Sequence, residues 1–167
     1  MIVAADSDPL IHLASVNQFS LLKRFFHTVH TIPPVYEEVV AQGQGRSGDF
    51  EVRQAVQDGW VFVDTSVDPA AIQRFVAANV SATDAAVITF AVMRKATLLL
   101  ADDTVVREMA MREGLAVMGT VGILVQARLA GFVDRLRPLL DQLIGAGFYL
   151  EPAGRVYQDA LKRVGEL

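Results

Sequence analysis

Continuous apolar runs of strand length recur along the chain, separated by segments whose apolar residues fall three and four apart. Residues 1–5 (MIVAA), 28–32, 60–63 (WVFV), 97–101 (TLLLA) and 115–118 (LAVM) read as short buried strands, TLLLA most strongly. The intervening segments predict helices from Pro9 to about Val16, over 19–26, around VYEEVV behind Pro33-Pro34, and over 49–57, 69–78, 82–94 and 104–112. Further helices are predicted over 120–130, 134–145 and 154–164. GQGRSG at 43–48, with three glycines in six residues, is the clearest loop. Strands alternating with helices predict an α/β fold whose central sheet is mainly parallel and flanked by helices. Right-handed crossovers bring the strand carboxyl ends to one edge, where open α/β sheets bind ligands. No repeat or linker interrupts the pattern, so residues 1–167 are expected to form one domain with a helical C-terminal part from about 120.

That edge is where the acids fall. Asp6 follows the first strand, and Asp102 with Asp103 follows the fourth. Each has a structural alternative: Asp6 or Asp8 as N-cap of the helix behind Pro9, and Asp103 as cap of the helix starting at Thr104. Ser81-Ala-Thr-Asp84 has capping-box spacing, yet a helix start opening on the same edge also suits a metal-binding carboxylate. Glu37 and Glu38 share one amphipathic helix, and a 100° periodicity does not choose between them. The histidines contribute little. His27 and His30 look like a metal pair, but residues three apart on a strand face opposite ways, and His12 has no partner in the sequence. Phe19, Phe25, Phe26 and Trp60 sit in apolar patterns and are expected in the core. No Gly-rich phosphate loop is present.

Composition narrows the options. Hydrophobic residues make up 52% of the chain, but no run reaches the ~18 apolar residues of a membrane span. The first residues lack a basic stretch, so no signal peptide is expected. The absence of cysteine removes disulfides and thiolate metal sites, and a cytoplasmic protein is expected. A net charge of −4 argues against nucleic-acid binding by a broad basic face. Any nuclease reading therefore relies on cations bound to the acids.

The order of the acids resembles the PIN-domain family. VAADSDPLIHLA looks like its opening strand and helix, IPPVYEEVV its second motif with Glu38 as the acid, and VSATDAAVITFAVMRKATLLLADD its third and fourth, with Asp84 and Asp102. The tail GTVGILVQARLAGFVDRLRPLLDQLIGAGFYL resembles a VapC-like branch, so the likeness runs from about residue 2 to 165. Two departures stand out: Ala82 where that branch often has Glu, and Asp8 where Ser is more usual. The resemblance implies a three-layer PIN-like fold and a metal-dependent endoribonuclease. Asp6, Glu38, Asp84 and Asp102 would bind Mg²⁺ or Mn²⁺, with Ser7, Asp103 and Thr120 as auxiliary residues. It also implies a small antitoxin partner of the VapBC kind and a homodimer. Four converging carboxylates repel one another, at ~4 kcal/mol per pair for ~4 Å and a dielectric of ~20, and a dication removes that cost. Arg46, Arg94, Lys95 and Arg107 are available to grip substrate.

Two other readings compete. A HAD-type phosphatase would use Asp6 and Asp8 as nucleophile and acid, with Thr65 and Lys95 completing the site, but leaves Glu38 and Asp84 without a role. A PIN-like binding module without activity fits poorly with four retained acids.

Overall fold

The computed structural model describes residues 1–77 and 79–167. Five parallel strands form one sheet: β1 (Val3–Ala5), β2 (Val29–Thr31), β3 (Val61–Val63), β4 (Leu98–Leu100) and β5 (Val117–Met118), in the order β3-β2-β1-β4-β5. The side chains of the three central strands, β2, β1 and β4, are largely buried on both faces, as helix-covered parallel strands require. From β1 the chain winds outward through β2 to β3, then returns across the sheet to β4 and β5. Right-handed crossovers therefore put the first helices on one face and those around β4 on the other, giving a three-layer α/β fold. The chain reverses direction between β1 and β4, and their carboxyl ends flank the resulting crevice. Ala5 pairs with Leu100, so Asp6 and Asp102 leave the sheet close together.

The helices are α1 (Ser7–Ser15), α2 (Ser20–Phe26), α3 (Pro33–Tyr36), α4 (Asp49–Gln57), α5 (Pro69–Ile72), α6 (Ala82–Met93), α7 (Thr104–Arg112), α8 (Thr120–Leu129), α9 (Arg137–Gly145) and α10 (Arg155–Arg163). Several differ from the pattern-based reading. Helix α1 begins at Ser7, because Asp6 takes the N-cap position and Pro9 is accommodated inside the first turn, where no amide bond is lost. The VYEEVV helix opens after Tyr36 into a π-turn over Glu37–Ala41. Helix 69–78 is instead α5 plus a 3₁₀ turn, Gln73–Phe75, with the backbone extended at Val76; position 78 lies outside the described residues. Of the run 115–118, only Val117 and Met118 pair with β4.

The core joins both helical layers to the sheet through Leu10, Leu13, Val35, Val39, Ile88, Phe90, Leu99, Leu100, Ile123 and Leu124, all buried. Phe19 and Trp60 are buried with them, whereas Phe25 and Phe26 are half-buried. Among the described residues no helix is long and apolar enough to cross a membrane.

Candidate active site

Asp6 is the first residue past β1. Its amide donates to the Leu100 carbonyl at 2.9 Å, which extends the strand pairing by one residue and fixes where the side chain leaves the sheet. The carboxylate is 3% exposed, and one oxygen accepts from the Ser7 amide at 2.8 Å as α1 begins. Burial pushes its pKa up to about 7; the Ser7 amide opposes this, and the neighbouring Asp84, Asp8 and Glu38 charges add to it.

Glu38 reaches this edge from the π-turn. Its Oε2 accepts from the Ser7 hydroxyl at 2.6 Å, while Glu37, one residue earlier, is exposed. A π-turn inserts an extra residue and rotates the later ones about the helix axis, so helical periodicity could not resolve this choice. Asp84 does two things. Its amide donates to the Ser81 hydroxyl at 3.0 Å at the start of α6. Its carboxyl pKa is raised, first by burial and further by Asp103 and Glu38, against hydrogen bonds from Ser81.

Asp102 is the most tightly held of the four. Oδ1 accepts from the Thr120 amide at 2.6 Å, and Oδ2 accepts from the Thr120 hydroxyl at 2.6 Å and from His12 Nδ1 at 2.8 Å. Thr120 is fully buried at the start of α8. The preceding Gly119 is required by close approach: a methyl group there would lie 2.8 Å from Asp102 Oδ1 and 2.8 Å from Arg107 Nη1. Asp103 is exposed and caps α7 through the Val106 amide.

Two residues stand differently from the sequence reading. Asp8 does not cap α1, since Asp6 occupies that position; its pKa is raised by burial, with Asp102, Asp84 and Asp103 adding and His12 opposing. It is a fifth acid of the cluster. His12, given no partner in the sequence, is hydrogen-bonded to Asp102 and packs edge-on against Phe148 at 4.7 Å. The available signal was its spacing: four residues after Asp8, it shares that acid's face of α1. His27 terminates α2 and His30 stacks on Phe62, so neither joins the site. Of the four candidate substrate cations, Arg107 stands beside Asp102, whereas Arg94 pairs with Asp64.

The charges of Asp84, Asp8 and Glu38 reach Asp6, and those of Asp102, Asp84 and Asp103 reach Asp8, so the acids are linked along one edge. Among the described residues, however, no three carboxylates or histidines stand close enough around one point to form a finished coordination sphere. The donor chemistry still fits a hard dication, because every acid offers oxygen and burial disfavours the negative charge of Asp6, Asp8 and Asp84. A groove of about 820 Å³ touches the cluster only at Asp102 and runs away from it, over β5 toward α10.

This arrangement does not fit the phosphatase alternative. Thr65 follows β3, two strands from β1, and Lys95 follows the C-terminal end of α6, where the chain enters β4 at the opposite sheet edge. Residues 2–166 match the family described as PIN domain. No curated protein and no solved structure matches the chain.

Proposed function

The chain belongs to the PIN-domain family, and from that premise we propose that it acts, as one domain, as a metal-dependent endoribonuclease. PIN domains are in general nucleases; RNA as substrate and dependence on metal are the finer parts of this reading. The observation that carries it is the placement of Asp6, a carboxylate buried at the end of β1, beside Ser7, which holds Glu38, and next to the β4 end from which Asp102 leaves. Such a set gains most from a bound dication.

Asp6, Glu38, Asp84 and Asp102 are the residues that would hold Mg²⁺ or Mn²⁺, with Asp8 and Asp103 adding negative charge around them. When bound, such an ion lowers the pKa of a coordinated water and neutralises charge on a phosphodiester. The chain's own residues prepare the site. Ser7 holds one oxygen of Glu38 and leaves the other for a ligand or an attacking water. Thr120 and His12 fix Asp102 so that its remaining acceptor capacity lies on Oδ1. Arg107 is placed to meet a substrate phosphate beside Asp102.

A homodimer, a small antitoxin and a cytoplasmic setting belong to the same reading. The partners are supported by apolar surface: Phe50 is 67% exposed at a groove of about 710 Å³ between α2 and α4. The deciding experiment is cleavage of single-stranded RNA by purified protein with Mg²⁺ or Mn²⁺. Cleavage should stop on adding EDTA and fall by orders of magnitude in Asp6→Asn with the fold retained. Wild-type rates from Asp6→Asn would overturn the assignment.

A further inference from the structure

We propose that the groove bordering Asp102 binds single-stranded nucleic acid and seats the nucleotides on one side of the bond to be cleaved. This deepens the nuclease reading and rests on it. The groove, about 820 Å³, runs from Asp102 across Gly119 and Gly122 to the segment around Tyr149 and the exposed side of α10.

Three arginines line it: Arg107 at the Asp102 end, Arg155 and Arg163 at the other. Among the described residues none of the three forms an ion pair, and Arg107 is held by the Ala101 carbonyl through one nitrogen at 3.1 Å. Its Nη1 and Asp102 Oδ1 lie equally close to the missing Gly119 methyl, so the guanidinium adjoins the acid without pairing to it. A planar guanidinium with free donors suits phosphate oxygens. Tyr149 is 87% exposed, and its hydroxyl donates to Glu151 at 3.3 Å. An open aromatic face among unpaired guanidinium groups is the combination that stacks bases while holding their phosphates.

The same groove carries Asp102, Glu151 and Asp159, which balance the three arginines. It therefore lacks the broad positive field that grips a duplex along its phosphates, and favours separate contacts to unstacked nucleotides. Its opening at Asp102, one end of the acid edge, together with its three arginines, favours nucleic acid over a protein segment. Phe148 packs on His12, and His12 bonds Asp102, so the groove wall and the acid keep one register.

The test measures binding by fluorescence anisotropy, using a labelled single-stranded oligoribonucleotide and Asp6→Asn protein in Mg²⁺ to prevent cleavage. Adding Tyr149→Ala should weaken binding about fivefold or more, and adding Arg155→Glu with Arg163→Glu about tenfold or more. Unchanged Tm would show that these exposed substitutions leave the fold intact. Photocrosslinking of a 4-thiouridine oligonucleotide to wild-type protein should map to residues 148–163. Unchanged affinity in both variants, crosslinks confined to the groove between α2 and α4, or equal competition by a duplex would each overturn the proposal. The two readings fail separately. If wild type cleaves RNA but the groove variants bind normally, the groove falls and the nuclease stands; if the variants lose binding but wild type never cleaves, the nuclease reading and the placement beside a cleaved bond fall, while single-strand binding by the groove stands.

Discussion

His12 Nδ1 lies 2.8 Å from Asp102 Oδ2, a contact between residues 90 positions apart. A carboxylate only accepts, so the hydrogen belongs to His12 Nδ1 and the imidazole fixes the rotation of Asp102. His12→Ala should lower metal affinity or cleavage rate about 10–100-fold. His12→Asn, which keeps a donor near the same place, should recover part of the loss. Calorimetric Mn²⁺ binding alongside cleavage rates checks this, and equal behaviour of both variants and wild type would contradict it.

The Asp6 carboxyl gives a stability profile of definite sign. Its folded pKa, about 7, lies above the ordinary value of 3.8, so between those pH values the folded state holds more protons than the unfolded one. Stability of the metal-free protein should therefore fall as pH rises from about 4 to about 7, by on the order of 4 kcal/mol from this group. Thermal melts in EDTA across that range should show the decline, and Asp6→Asn should flatten it.

Divalent metal should reverse that loss. At neutral pH, Mg²⁺ or Mn²⁺ should raise Tm, since it binds the native state and not the unfolded chain. The rise should shrink in Asp6→Asn and in Asp84→Asn. A rise of equal size in wild type and both variants would mean that the ion binds elsewhere.

Asp8 is expected to behave as a member of the cluster. Asp8→Asn removes one repelling charge from beside Asp102 and Asp84. The metal-free protein should melt a few degrees higher near pH 7.5, and its Mn²⁺ affinity should fall severalfold. A lowered Tm would point instead to a stabilising role at the start of α1.

Gly119→Ala tests how closely the site is packed. The added methyl would stand 2.8 Å from both Asp102 Oδ1 and Arg107 Nη1, so one of them must shift. Displacement by about 1 Å can cost about a hundredfold in rate, while the overpacking itself costs about 1–3 kcal/mol of stability. Cleavage rates measured well below the lowered Tm separate the two effects.

What the sequence determined was local. Apolar runs of strand length, helical spacing between them and an acid within two residues of the ends of β1 and β4 are properties of a few adjacent residues, and backbone periodicity converts them into elements. Parallel topology then makes the strand ends share an edge, so the common address of Asp6 and Asp102 could be read before any coordinates. The tertiary structure decided what depends on distant segments. It turned Glu38 toward Ser7 and left Glu37 exposed, within a π-turn that no 3.6-residue pattern contains. It gave His12 a partner by bringing α1 beside Asp102 in the segment that follows β4. It moved Asp8 from a supposed cap into the field of Asp102 and Asp84, and of the four candidate cations it set Arg107 beside Asp102. Hydrogen bonds and charge fields act through space, and only the folded chain fixes which side chains share it.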